Sequence, residues 1–155
     1  MKKTKRAFSI LELILAVGLF AIFALSIAAA VFVASKASQK SLQMQIAQQF
    51  AVEGIEAARA LRSQSFDSLA NTEGSGIKFA DGEWRLDGTQ DNWQGFARFI
   101  TIKSAKRDNE GNILLTGDND DGDIKLITST VTQGDMTVEF SAYLSRREII
   151  APPAP

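Results

Sequence analysis

The sequence predicts an α+β fold in which one long N-terminal helix, its first half suited to a membrane and its second half amphipathic, packs against a small antiparallel sheet. Three observations predict it. Leu13 to Ser35 is a run of 23 residues without a charge, enough to cross a hydrocarbon core of about 30 Å as a helix. Beyond Lys36, apolar residues recur at Leu42, Ile46, Ala47, Phe50, Ala51, Ile55, Ala58 and Leu61, the three-and-four spacing of one helix face. After Ser63 the pattern changes to short β-prone runs punctuated by Gly, Asn, Asp, Ser and Thr.

Composition bounds the chemistry. With about a quarter of its 155 residues in leader and span, the chain has length for one small domain. Lys2, Lys3, Lys5 and Arg6 crowd the first six positions; without them 13 basic residues face 18 acidic ones, a net of −5. An acidic remainder argues against nucleic acid as the main partner, because phosphate recognition needs clustered cations. There is no cysteine and no histidine. Disulfides, thiolate metal sites, the commonest general base and the usual zinc ligand are therefore absent, and most hydrolase and metalloenzyme chemistry goes with them.

The basic N-terminus precedes the apolar run, and by the positive-inside rule it holds the N-terminus in the cytoplasm and sends the C-terminus across. Two readings of the run stand on physics alone. It is a retained membrane helix, or a secretory signal cleaved at small residues such as Ala28, Ala29, Ala30 or Ala34, although it exceeds the usual signal core of about 7–15 residues. Glu12 stands at its start. A carboxylate there costs roughly 2.5 kcal/mol or more, so it either snorkels to the interface or has a partner. Gly18 permits close helix approach or is a soft point costing roughly 1 kcal/mol of helix propensity.

The residues Lys5-Arg6-Ala7-Phe8-Ser9-Ile10-Leu11-Glu12-Leu13-Ile14-Leu15-Ala16-Val17-Gly18-Leu19-Phe20-Ala21-Ile22 resemble the leader and N-terminal helix of type IV pilins and type II secretion pseudopilins. The resemblance implies a pilin-like fold and a structural subunit without enzymatic activity or cofactor. It implies cleavage by a prepilin peptidase between Ala7 and Phe8, N-methylation of Phe8, and an assembly role for Glu12, paired with the α-amino group of a neighbouring subunit. The family usually carries Gly before the cut; this chain has Ala7. The implied partners are the peptidase, other pilin or pseudopilin subunits, an inner-membrane assembly platform and the lipid bilayer. The implied location is the inner membrane, then a cell-surface or periplasmic filament. Many major pilins have a helix-breaking proline where this chain has Ala29, so an unkinked helix is expected. They also carry a C-terminal cysteine loop, whose absence points to a minor member. Ala47 to Leu69 resembles the matching segment of minor pilins and small pseudopilins.

On this reading residues 1–7 are leader, 8–35 the transmembrane or filament-core helix and 36–65 an amphipathic stalk helix, ending near Arg62 to Ser65. Residues 66–146 form a β-rich domain and 147–155 a Pro-rich tail. Glu53, Glu56, Arg59 and Arg62 are expected to pair along the helix surface. Strands are expected at Ile77 to Ala80 and Glu83 to Asp87 around an Asp81-Gly82 turn, with loops at Asn71 to Gly76 and Thr89 to Gly95. Phe96 to Ser104 is expected to pair with Ile113 to Thr116 through a turn at Asp108 to Asn112. Ile124 to Thr132 and Met136 to Leu144 form the strongest hairpin. In its second strand Val138, Phe140, Ala142 and Leu144 face the helix, while Thr137, Glu139, Ser141 and Tyr143 face water.

Trp84, Trp93, Phe96 and Phe99 are core residues or an aromatic platform, with Trp93, in a polar loop, the best exposed contact. In the run from Gly117 to Asp123, Asp118, Asp120, Asp121 and Asp123 are the only calcium-like ligands. Gly122 occupies a ligand position of the EF-hand pattern and no Glu closes the loop, so a solvated turn between strands is the competing reading. A rival to the filament subunit is a single-pass anchor carrying a module for glycan or calcium, which would rest on Trp93 or this acidic run.

Overall fold

The computed structural model describes residues 9–108, 110–114 and 119–146. The protein is α+β, with one long N-terminal helix packed against an antiparallel sheet. It divides into two compact units, Met1–Gln43 and Met44–Pro155.

In the first unit every described residue belongs to helix α1 (Ile10–Gln64) except Ser9, whose carbonyl accepts from the amides of Glu12 and Leu13. The helix passes Ala29 unbroken, as the absence of proline predicts. Ser26 returns its hydroxyl to the carbonyl of Ile22, and Lys36 lies 4.6 Å above the Phe32 ring.

In the second unit, α1 continues to Gln64 and a short 3₁₀ turn follows at Phe66–Ser68, where the Ser65 hydroxyl accepts from the Asp67 amide. Strands β1 (Thr72–Ala80), β2 (Glu83–Asp87), β3 (Asp91–Trp93), β4 (Phe96–Arg107), β5 (Ile113–Leu114), β6 (Asn119–Gln133) and β7 (Met136–Ser145) follow. All pairs are antiparallel and the main order is β2-β1-β4-β6-β7. Strand β4 is the hub: β6 pairs with it from Ala97 to Arg107, while β3, β1 and β5 divide its other partners among Phe96–Arg98, Ile100–Ile102 and Lys106–Arg107.

Two expected loops are strands. Thr72 to Gly76 joins β1 because Thr72 and Ser75 pair with Ile102 and Ile100 of β4, so tertiary pairing overrides the weak β propensity of a Gly-rich run. Asp91–Trp93 becomes β3 through a two-residue turn at Gln94-Gly95 whose φ values, 49° and 83°, match the left-handed pair of a type I′ hairpin, as 56° and 82° do at Asp81-Gly82. Gln is an unusual first residue for that turn, whereas the Asp-Gly pair at 81–82 is a common one.

The acidic run also differs from the expected turn. From Asn119 it is already part of β6, which bulges where Ser104 pairs with Lys125 and Ala105 with Asp121. Of the strand expected at Ile113 to Thr116, Ile113–Leu114 form β5 and pair with Arg107 and Lys106 of β4, beyond the Ser104 end expected for that strand; Leu115 and Thr116 lie outside the described residues.

The core lies between α1 and one sheet face. From the helix come Ala47, Phe50, Ala51, Ile55, Ala58 and Leu61; from the sheet come Ile77, Phe96, Ile100, Ile102, Ile127, Val131, Val138 and Leu144. Leu42 departs from the expected stripe and is exposed, and burial begins around Met44. On β7, Val138 and Leu144 are buried and Ala142 half-buried, but Phe140 remains 39% exposed.

Gly54 explains how closely the layers approach. A Cβ there would stand 2.5 Å from Ser129 Oγ and 2.8 Å from Ile100 Cδ1. It is a packing point in the helix face rather than a weakness, and only hydrogen fits.

Candidate functional site

The first candidate is the apolar part of α1. Its large apolar side chains from Ile10 to Val33 are 55–78% exposed, and they occupy every side of the helix. Glu12 lies in its first turn and is exposed. Among the described residues, none outside the helix's own neighbouring backbone comes within 4 Å of where a side chain at Gly18 would begin. Ala7 and Phe8 lie outside the described residues. The helix is long and apolar enough to cross a membrane.

The second candidate lies in the sheet unit and was missed from sequence. Along β4, Phe96, Arg98, Ile100 and Ile102 share the buried parity. Arg98 thus occupies a core position, and its side chain is only 3% exposed. Its Nη2 and Nε donate to Asp91 Oδ2 and Oδ1 at 2.8 and 3.2 Å, a two-pronged carboxylate contact. Its Nη1 donates to the Phe50 carbonyl at 2.8 Å and lies 3.6 Å from Glu53 Oε2. The guanidinium also lies 4.0 Å from the centroid of the Phe50 ring.

This fan of contacts makes burial of the charge tolerable. Asp91 in turn accepts the Ile77 amide at 3.1 Å, so one carboxylate ties β3 to β1 as well as to β4. The available signal was a lone Arg on the inward parity of an otherwise apolar strand. Glu53 thus corrects the expected helix-surface pairing, because it pairs with Arg98 across the layers; Glu56 and Arg59 do pair along the helix.

Beside this clamp opens a groove of about 560 Å³. Ile46 and Phe50 come from the helix, Phe79 and Trp84 from the β1–β2 hairpin, and Trp93 from β3. Phe79 and Trp84 meet edge to face at 5.3 Å between centroids, while Phe50 and Trp93 are tilted at 45° with centroids 5.8 Å apart. Trp93 is 48% exposed, the expected exposed aromatic, and Phe79 is 58% exposed. Trp84 is half-buried against the core, Phe96 is buried and Phe99 half-buried.

The acidic run is distributed among cations. Asp120 pairs with Lys106 and Asp121 with Arg107, each at 2.5 Å, while Asp123 accepts from Arg146 at 2.9 Å. The Arg107 hydrogen bond holds the Asp121 carboxyl below the ordinary value, helped by the Asp123 amide. Arg146 also reaches Asp67 and lies 4.5 Å above the Phe66 ring, and its pKa is raised chiefly by the hydrogen bond to Asp123. Asp118 lies outside the described residues. Among the described residues no three His, Cys, Asp or Glu side chains gather as a metal-holding group.

No protein-family model matches the chain, and no curated protein or solved structure matches it either.

Proposed function

We propose that this chain is a minor pilin or pseudopilin, a structural subunit of a type IV pilus-like or type II secretion-like filament, inserted in the inner membrane with its C-terminus outside the cytoplasm. A prepilin peptidase cuts between Ala7 and Phe8 and methylates Phe8. Glu12 then pairs with the new α-amino group of a neighbouring subunit. The chain performs no catalysis itself. Its partners are that peptidase, other subunits, the assembly platform and the bilayer.

The observation that carries this reading is the uncovered apolar cylinder of α1 with a single acid in its first turn. Such a surface requires lipid or neighbouring helices. In either surrounding an isolated carboxylate is costly and one facing an amine is strongly attracted, so Glu12 favours one docking register. The leader resemblance supplies the processing step. Intact mass and N-terminal sequencing of membrane-derived protein test it: loss of Met1 to Ala7 with one added methyl is expected. An unprocessed N-terminus in cells containing the peptidase overturns it.

A further inference from the structure

We propose that the sheet edge formed by β7 docks against the opposite edge, strand β2, of a second copy of this chain, as a parallel strand pair with Glu139 beside Arg85 of the second copy. The contact lies in the sheet unit, and neither it nor the filament reading requires the other.

The two edges of the sheet differ. β2 is short, and three of its five residues, Glu83, Arg85 and Asp87, are charged. β7 is ten residues long, pairs with β6 without a register shift, and contains no proline and a single charged side chain, Glu139. A long, regular edge of this kind is a template for another strand, and Glu139 is its one deterrent. Phe140 and Tyr143, on opposite faces of β7, are 39% and 42% exposed.

The backbone specifies which pairing fits. Met136 faces Gln133 across a two-residue turn, so the even-numbered residues of β7 bond to β6, while Thr137, Glu139, Ser141 and Tyr143 turn their amides and carbonyls outward. On β2, Glu83 faces Ala80 across Asp81-Gly82, so Glu83, Arg85 and Asp87 bond to β1, and Trp84 and Leu86 turn theirs outward. Four antiparallel steps lead from β2 to β7, which leaves these two strands parallel. A second copy that continues the sheet with its helix on the same face therefore offers a parallel pair. Glu139 placed opposite Arg85 then donates its amide to the Trp84 carbonyl and accepts the Leu86 amide, the slanted pattern of such a pair.

Side chains select this register. Glu139 and Arg85 both lie on the face away from α1, whereas Leu86 packs against the core and Phe140 shares the parity of buried Val138 and Leu144. With Glu139 opposite Arg85, Phe140 lies beside Leu86 of the second copy, which covers a ring left open in one chain. A slip of two residues sets Glu139 against Glu83 or Asp87, and a slip of one puts the outward backbone groups out of phase. Arg85 is open to a further carboxylate, since it is exposed and held only by Asp81 and Glu83 at 3.7 and 3.8 Å. Lys78 stands beside it in the ladder, and the two cations share a hollow of about 240 Å³ with Asp87. Because unlike edges meet, a free β2 and a free β7 remain at the ends, and the contact builds an open series rather than a closed dimer.

Engineered cysteines test this in the full chain in detergent, which has none of its own. Ser141→Cys on one chain and Asp87→Cys on another should face each other at about the strand spacing of 4.8 Å, a separation that a disulfide spans. Mild oxidation of the mixture is expected to yield a two-chain product about tenfold or more above that from Ser141→Cys mixed with Glu83→Cys, the same strands out of register. Glu139→Arg on the Ser141→Cys chain should lower the yield about tenfold or more, and Arg85→Glu on the Asp87→Cys chain should then restore it. All five positions are exposed, and circular dichroism checks that each variant keeps its fold. A yield no higher than the out-of-register mixture, or a charge reversal that has no effect or is not rescued, overturns the proposal. Ser141→Cys crosslinking to itself as strongly as to Asp87→Cys reports two β7 edges paired antiparallel and overturns the assignment to β2.

Discussion

Arg98 Nη1 donates to the carbonyl oxygen of Phe50 at 2.8 Å, carrying a charge from inside the sheet to the C-terminal third of the helix. The same guanidinium is held by Asp91, whose side chain is 25% exposed against 3% for Arg98. That difference sets an order of costs. Asp91→Ala leaves a deeply buried cation without its main partner and should destabilise by about 3–5 kcal/mol. Arg98→Met should cost less, because Asp91 retains access to water and the methionine fills part of the volume. Urea denaturation of the full chain in detergent, followed by tryptophan fluorescence, measures both; a larger loss for Arg98→Met would contradict this account of the clamp.

The contact between Gly54 and Ser129 makes a second prediction. Ser129 is fully buried and its Oγ has no hydrogen-bond partner among the described residues. Ser129→Ala should therefore stabilise by on the order of 1 kcal/mol, since it removes a desolvated, unpaired hydroxyl. Gly54→Ala should cost about 1–3 kcal/mol despite alanine's better helix propensity, because its Cβ meets that hydroxyl and Ile100. In the Ser129→Ala background the cost of Gly54→Ala should shrink. Additive effects in thermal melts would show that the two positions do not share this contact.

Acid sensitivity should include the Asp121–Arg107 pair. The carboxyl pKa is lowered in the folded chain, so its stabilising contribution is present above the ordinary Asp value of about 3.9 and is lost as pH falls through the lower folded value. Arg107→Gln should flatten this part of the stability profile below about pH 4 and leave its shape unchanged near neutrality. Denaturation midpoints across an acid series check the sign.

The filament reading makes its own predictions at the N-terminus. Ala7→Gly should speed removal of the leader, measured by pulse-labelling in cells with the peptidase. Glu12→Ala should leave membrane insertion intact and sharply reduce incorporation into filaments. Unchanged incorporation would remove the assembly role of Glu12 even if cleavage proceeds normally.

Much of the architecture was readable because it depends on local pattern. The uncharged run, the amphipathic spacing from Ile46 to Leu61, the helix end near Arg62 to Ser65, the Asp81-Gly82 hairpin and the last hairpin all appear where periodicity and turn chemistry put them. Strand β3 and the first half of β1 were not readable in that way. Their residues are polar or glycine-rich, and pairing with β4 defines them as strands.

The sites divide along the same line. By itself the sequence determined that a long apolar helix begins beside one acid, that histidine and cysteine chemistry is absent, and that an aromatic set and an acidic run exist. Only the tertiary structure decided that Arg98 is a buried clamp, that Gly54 is a contact point, that Asp120, Asp121 and Asp123 are held by separate cations, and that Phe50, Phe79, Trp84 and Trp93 line one groove. The physical reason is sequence distance: periodicity records which way neighbouring side chains point, whereas burial of a charge and closure of a groove depend on residues brought together from the helix and several strands.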